Sequence, residues 1–480
     1  MNKTVIVGGG IAGLATAFYL QESGSVDYTL IESSPTCGGK ITSTSRDGFI
    51  IEGGPDSFIT QKPAALDLCK RLGLGDQLIG SNPGKQATTY VWSGGRLHPM
   101  PEGMMLMAPT MVIPFLRSSL ISWPGKLRMG MELFVPKLKG DHDESLAGFV
   151  RRRLGTEALN KIAGPLMGGI HAADPEKLSL NSTFPMFQDM EKRHGSLLRG
   201  MLKRPQRSTS NGSKPTPMFM SLRGGLQQLS DALVAHLPAH AVRSGCCVLS
   251  VCPTVDGHHQ TQYKVVLSDG SSILADNVVF ATPSYVTADL VQQIDPTLAS
   301  RLRTIRYVST ATVSLAFRRA DIAHPMQGAG FIVPKSENRK ITACSWSSAK
   351  FPHRAPGDSV LLRVFIGGAL AEDLAEQDEA ALIELARTEL GTIMGITAAP
   401  ILAKAYRWNK ANPQYDLGHD SRVTEIERSL TYLPSLYIAG AAYRGAGLPD
   451  CIQSGIVAAR SIAEQVHANQ GEHTSVCIEN

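Results

Sequence analysis

Lys3-Thr4-Val5-Ile6-Val7-Gly8-Gly9-Gly10-Ile11-Ala12-Gly13, followed by a helical pattern through Leu20, is the stretch on which the fold turns. An apolar run ends in G-x-G-x-x-G and opens a helix. A second apolar run, residues 28–31, ends on Glu32, 19 residues beyond Gly13. The glycines have distinct roles. Gly8 permits the tight turn, Gly10 lets the backbone approach a pyrophosphate, and Gly13 lets the helix pack close to the strand. The helix N-terminus then faces the phosphate charge. Glu32 is placed to accept hydrogen bonds from the adenosine ribose hydroxyls. A glycine-rich surface loop would explain the turn but not an acidic residue in register with it, so the stretch reads as a dinucleotide-binding Rossmann half.

The next residues favour FAD over NAD. Ser33-Ser34-Pro35-Thr36-Cys37-Gly38-Gly39-Lys40 carries a Gly-Gly-basic step that lets a loop cross the cofactor phosphates and present a cation to them. Ile51-Glu52-Gly53-Gly54-Pro55-Asp56-Ser57 supplies another close backbone approach, expected at the flavin ring. A nicotinamide dehydrogenase needs no such second element. The chain also lacks a second G-x-G-x-x-G, unlike a reductase that binds both FAD and NAD(P)H. Near the far end, a strand at 435–439 leads into Gly440-Ala441-Ala442-Tyr443-Arg444-Gly445-Ala446-Gly447-Leu448-Pro449-Asp450-Cys451-Ile452 and a helix over 449–466. The dipole of that helix would stabilise negative charge developing on a reduced flavin.

The totals exclude several classes. With 480 residues the chain is long enough for two or three domains, and 43% hydrophobic with 19% charged residues is ordinary for a globular protein. A net charge of +5 without a Lys/Arg run argues against nucleic-acid binding. No secretory signal and no stretch of ~18 apolar residues is visible. The eight cysteines show no C-x-x-C pair and no Cys/His ligand spacing, which predicts reduced thiols and no metal. The expected location is cytoplasmic, with peripheral contact at the inner face of the cell membrane left open, as is the oligomeric state.

The expected architecture is α/β. An FAD-binding Rossmann-type domain is assembled from residues 1–85, 218–285 and 409–470. A mixed-sheet α+β substrate domain takes residues 86–99 and 286–408, and a mainly helical insert takes 100–217. Strands are expected at 309–317, 330–333, 341–345, 360–366 and 401–408, with a helix over 370–394. Residues 204–217, RPQRSTSNGSKPTP, have the composition of a surface loop.

Further motifs resemble one family, the oxygen-dependent protoporphyrinogen/coproporphyrinogen III oxidases within the flavin amine oxidase superfamily. They are Gly53-Gly54-Pro55-Asp56-Ser57-Phe58, Leu97-His98-Pro99-Met100-Pro101 and Arg152-Arg153-Leu154-Gly155-x-Glu157. Pro165-Leu166-x-x-Gly169-Ile170-x-Ala172, Ser182-Thr183-Phe184-Pro185, Arg223-Gly224-Gly225-Leu226 and Pro413-Gln414-Tyr415 with Gly418-His419 also match. The resemblance is nearest to the Gram-positive branch. It implies FAD contacts at Gly8, Gly9, Gly10, Ile11, Ala12, Gly13, Glu32, Ser33, Gly39, Lys40, Gly54, Pro55, Asp56 and Ser57. Val248 would lie on the adenosine side, and Trp408, Ala446, Gly447 and Leu448 close to the flavin. Other branches associate an arginine near the Gly-Pro pair with a substrate carboxylate. Here those positions hold Asp56 and Ser57, so substrate propionates must be met differently.

The same resemblance implies oxidation of coproporphyrinogen III to coproporphyrin III: six electrons, three flavin cycles with hydride passing to N5, dioxygen as acceptor and peroxide as product. Protoporphyrinogen IX is the alternative substrate. An amine oxidase, a carotenoid desaturase and a flavin-binding scaffold are the alternative classes. The flavin carries the chemistry, so no catalytic side chain is assigned, and loop packing is the preferred role for His98, His171 and His419. The cofactor is expected to be non-covalent, because Ala441-Ala442-Tyr443 fills the region where monoamine oxidases of the covalent type place a cysteine. Lys62, Arg71, Arg117 and Arg151 to Arg153 are candidate partners for the propionates, against a default of solvated helix faces. The seven methionines between Met100 and Met131 fit core packing first, the lining of a channel for a flat ligand next, and membrane contact last.

Overall fold

The computed structural model describes residues 2–82, 88–105, 107–138, 140, 142–203, 217–255 and 261–476. The loop expected at 204–217 lies outside these residues save for Pro217, as do Cys477 and the boundary expected after residue 85.

Val5, Ile6 and Val7 are buried, and their strand Lys3–Val7 has parallel neighbours on both sides, as a continuous β-branched run requires. The five-stranded parallel sheet runs Val242–Arg243, Asp27–Ile31, Lys3–Val7, Asn277–Phe280, Leu436–Ile438. It therefore draws strands from widely separated parts of the chain. Helices Ile11–Ser23, Ala64–Arg71, Gln227–His236 and Leu448–Val476 cover one face. Ile11–Ser23 and Leu448–Val476 touch backbone to backbone at Gly455, where a Cβ would stand 2.4 Å from the Ala12 carbonyl oxygen. The other face packs the antiparallel strands Val248–Val255, Thr261–Leu267 and Ser272–Ala275 with helices Ser284–Val291, Pro296–Arg303 and His419–Leu430.

A second sheet has seven strands in the order Leu402–Pro413, Tyr307–Arg318, Ser359–Gly367, Ala343–Trp346, Gly330–Ile332, Thr89–Ser93, Arg96–Pro99. Within it, Gly330–Ile332 and Thr89–Ser93 pair in parallel. Alternation decides the faces. Ala311, Val313, Leu315 and Phe317, with Leu362 and Val364, pack under helix Glu379–Met394, while Thr310, Thr312 and Arg363 point to the other side.

Several boundaries differ from expectation, among them the C-terminal helix, which runs Leu448–Val476 and not 449–466. The helix expected over 370–394 is two, Glu372–Ala375 and Glu379–Met394, because the Asp378 side chain accepts from the Ala381 N–H at 2.8 Å and caps the second. The strand expected to end at 408 continues to Pro413. Its apolar pattern stops at Trp408, but its backbone ladder with Tyr307 and Val308 does not depend on side chains. The edge expected between 408 and 409 thus falls inside a strand. Residues 286–303, expected with the second sheet, pack on the Rossmann core instead.

The insert between these sheets is mainly helical, with a core that includes Phe115, Met129, Phe149, Ile162 and Phe187. At its centre Arg153 and Glu132 form an ion pair with both side chains at 0% exposure. Arg153 also donates to the carbonyls of Val135 (2.7 Å) and Gly195 (2.8 Å), and Glu132 accepts from the Leu197 N–H at 2.8 Å and from the Ser196 hydroxyl. Removing one partner leaves an uncompensated buried charge. Arg153→Met is therefore expected to cost about 3–5 kcal/mol, read as a lowered Tm with faster amide exchange around Glu132 and Leu197. An unchanged Tm would refute that role.

Candidate functional site

A cavity of about 1440 Å³ lies between the two sheets and the helical insert. Single ligand pockets hold roughly 300–1,000 Å³, so this one has room for a large cofactor and a second molecule.

The glycine turn forms one end. Gly8 has φ +108°, and a Cβ there would lie 2.8 Å from the Ala281 carbonyl oxygen. A Cβ on Gly13 would stand 1.9 Å from the Gly8 oxygen, so only glycine lets this helix start so close to the strand. Gly10 differs: nothing lies within 4 Å of a Cβ built on it, and it faces the cavity. No side chain caps the helix that follows and its first turn holds no acidic residue, so its leading N–H groups are left for a ligand. Glu32, buried at the end of the next strand, accepts from the Gly9 N–H and the Ser34 N–H, both at 2.7 Å. Its carboxylate also lines the cavity and braces the turn from the side.

Ala446, Leu448 and Cys451 bring the N-terminus of the long C-terminal helix to the same wall. Lys40 lines it too, and its ammonium donates to the Ala411 carbonyl; burial lowers its pKa. Burial pushes the Cys451 thiol up to about 12, so it stays protonated and unreactive.

The middle of the cavity is made by Gly53, Gly54 and Pro55. Three donors converge on the Gly53 carbonyl: the Thr312 hydroxyl at 3.0 Å, the Arg363 guanidinium at 3.1 Å and the Trp408 indole N–H at 2.9 Å. They come from three adjacent strands of the second sheet. Arg363 also donates to the Gly54 carbonyl. Behind the turn Asp56 pairs with Lys350 at 2.9 Å, and Glu52 with Arg354 at 2.9 Å. Burial works to raise the Asp56 carboxyl, but Lys350 and Arg363 outweigh it and hold that group far below the ordinary carboxylate range.

The far end is floored by Leu159–Gly168, a segment wound wider than an α-helix around Pro165, whose missing N–H breaks the usual bond pattern. Gly164, Pro165, Gly168 and Gly169 present little but backbone there. Lys335, Asn338 and Arg339 line the cavity too, and the turn Lys335–Glu337 packs beside Leu159–Gly168. Arg339 pairs with Glu389 at 2.8 Å, whereas Lys335 has no ion pair among the described residues.

The sequence matches the model of the flavin-containing amine oxidoreductases over residues 11–463. The chain belongs to that family. It is 37% identical to the coproporphyrinogen III oxidase of Bacillus subtilis (strain 168) over 462 residues, 95% of this chain and 96% of that protein. It is 34% identical to the coproporphyrinogen III oxidase of Staphylococcus aureus (strain NCTC 8325 / PS 47), covering 97% of this chain and all of that one. The crystal structure of an Exiguobacterium sp. 255-15 protein assigned as a protoporphyrinogen oxidase superposes with a TM-score of 0.85 at 31% identity, over 97% of this chain and 99% of that chain. The protein is thus a flavin-dependent oxidase with FAD as its cofactor, in an α/β fold of mixed sheets and helices.

An FAD molecule fits the chemistry of this wall: free helix N–H groups, the open face of Gly10, and the carboxylate of Glu32. Of the residues expected to hold it, Gly8, Gly10, Ile11, Ala12, Glu32, Ser33, Gly39, Lys40, Gly54, Pro55, Trp408, Ala446 and Leu448 line the cavity. Gly9, Gly13 and Gly447 do not face it but shape the backbone around it. Asp56 and Ser57 are turned to Lys350 instead. Val248 packs into the core on the far side of the Rossmann sheet, although the backbone N–H of Cys246, two residues before it, donates to the Glu32 carbonyl at 3.0 Å. None of the cations expected to meet substrate is on the wall. Lys62 pairs with Asp450, Arg71 with Glu22 and Arg151 with Glu176; Arg152 is held by Glu144 and Glu191, and Arg117 ends an exposed helix. Arg71, Arg117 and Arg151 are solvent-facing helix charges, whereas Arg152 and Arg153 are held inside the insert by carboxylates. No methionine among the described residues lines the cavity; Met107 and Met129 are core. His98, His171 and His419 are packing residues, with His419 stacked on Tyr415 at 3.9 Å.

Two substitutions separate cofactor contact from scaffold. Gly10→Ala should leave the Tm of the apoprotein unchanged yet weaken FAD by about tenfold or more, as steric overpacking of about 1–3 kcal/mol implies. Gly13→Ala should lower the apoprotein Tm itself. Flavin-quenching titrations and thermal melts read both, and equal melts for the two variants would contradict the assignment.

Proposed function

We propose that this oxidase converts coproporphyrinogen III to coproporphyrin III. The observation that carries the reading is the room in the cavity beyond the cofactor wall, lined there by glycine and proline with Lys335 beside them. Near-full-length similarity to two proteins named coproporphyrinogen III oxidases supports it. FAD, when bound, supplies two-electron oxidation at its ring and, with dioxygen as acceptor, would complete the six-electron change in three cycles with release of peroxide.

The chain's own residues supply the rest. Gly164, Pro165 and Gly169 keep the surface low between Leu159, Asn160 and Ile170, and a broad tetrapyrrole can lie against it. Phe365, on the same face of its strand as Arg363, supplies an apolar ring to the cavity wall. Lys335 is available to one propionate without first giving up a carboxylate partner among the described residues. Arg339, already paired with Glu389, is the weaker candidate. FAD is held without a covalent bond on this reading.

The reading is tested by following porphyrin fluorescence with coproporphyrinogen III and protoporphyrinogen IX side by side. A kcat/KM at least tenfold higher for coproporphyrinogen III is expected. A clear preference for protoporphyrinogen IX would reverse the choice of substrate, and no turnover of either above autoxidation would remove both.

We infer further that one face of the helical insert rests on a membrane surface. No helix among the described residues is long and apolar enough to cross a bilayer. Yet Val112, Ile113, Trp123, Leu127 and Phe134 are each at least 64% exposed and belong to one short stretch that also carries Arg117 and Lys137. Apolar tips flanked by cations suit an anionic lipid surface. Binding to phosphatidylglycerol vesicles should fall at least tenfold in Ile113→Glu/Phe134→Glu with the flavin retained. Equal sedimentation of variant and parent would refute the contact.

A further inference from the structure

Arg363 is 3% exposed, sits on the cavity wall, and has no partner for its Nε among the described residues. Its Nη2 donates to the carbonyls of both Gly53 and Gly54, which are neutral. Among the described residues no carboxylate lies within ion-pair distance of it, since Asp56 is taken by Lys350 and Glu52 by Arg354. Lys350, Arg354 and Arg363 thus face only Glu52 and Asp56, and this buried group holds one cation in excess. Burying an unbalanced charge is costly. A clamp on two carbonyls needs only neutral donors, as Thr312 and Trp408 demonstrate at the same oxygen. The charge of Arg363 therefore calls for a separate explanation.

We propose that the charge of Arg363 sets the reduction potential of the bound flavin. The residue is a positioning residue for the Gly53–Gly54 turn, but its electrostatic effect reaches past the turn into the cavity. Reduction adds electron density to the cofactor ring, and a fixed cation in a water-poor wall stabilises that density more than it would in solvent. Asp56 and Lys350 adjust the same field in opposite senses from behind the turn. This inference rests on the cofactor and the wall, not on which porphyrinogen is oxidised.

The test is equilibrium reduction of the purified, flavin-loaded protein against a reference dye. Arg363→Met should shift the two-electron equilibrium at least tenfold toward oxidised flavin, about 30 mV downward. Lys350→Met should shift it in the same direction by less, and Asp56→Asn in the opposite direction. Arg363→Lys keeps the charge without the planar guanidinium, so it should stay within threefold of the parent. That ordering by charge supports the proposal. Equal potentials throughout, or Arg363→Lys shifted as far as Arg363→Met, would overturn it in favour of a purely mechanical clamp. Should Arg363→Met fail to retain flavin, Arg363→Lys, Lys350→Met and Asp56→Asn decide by the same ordering.

Discussion

The carbonyl oxygen of Gly53 is the point at which the two halves of the molecule are fastened. It accepts from Thr312, Arg363 and Trp408, one residue from each of three neighbouring strands, while its own residue belongs to the cofactor domain. A carbonyl has two lone pairs, so three donors on one oxygen fix its position from several directions. The turn can then neither slide along the second sheet nor tilt away from it. A Cβ on Gly53 would lie 2.7 Å from the Tyr406 ring, and one on Gly54 would lie 1.7 Å from the Lys40 oxygen. The fastening therefore exists only because both residues lack side chains. The width of the cavity between the glycine turn and the second sheet follows from it.

What is legible in the sequence is what local chemistry dictates. The roles read for Gly8, Gly10 and Gly13 are three different steric demands, and the structure shows each: a positive φ, an open face and a 1.9 Å approach. Most of the discontinuous parallel sheet is legible as short apolar runs, but its edge strand Val242–Arg243 is not. What is not legible depends on tertiary partners. Lys62 and Arg71 read as substrate cations because charge sign is visible in a sequence while direction is not, and both are paired elsewhere. Arg363 escapes the sequence reading, although it interrupts the apolar run Val360-Leu361-Leu362-Arg363-Val364-Phe365-Ile366. A charged residue inside an otherwise apolar strand is a usable signal. So is the alternation Thr310-x-Thr312-x-Ser314 one strand over, which marks a polar face on a buried sheet.

The two ends of the cavity are built by different means, and this bears on how the family can vary. At the cofactor end the wall includes free backbone N–H groups, glycines and the Glu32 carboxylate, and steric demands of this kind are readable in sequence. At the other end the floor is glycine and proline, and the loop packed beside it carries Lys335 and Arg339. The Asp56 and Ser57 pair illustrates the difference. Where resemblance leads one to look for a cation, this chain places a carboxylate, and Lys350 neutralises it from beside the second sheet. A charge at that point is thus kept for the wall behind the flavin rather than offered to the substrate. On the proposed function the propionates are left to the rim, where Lys335 has no ion pair among the described residues.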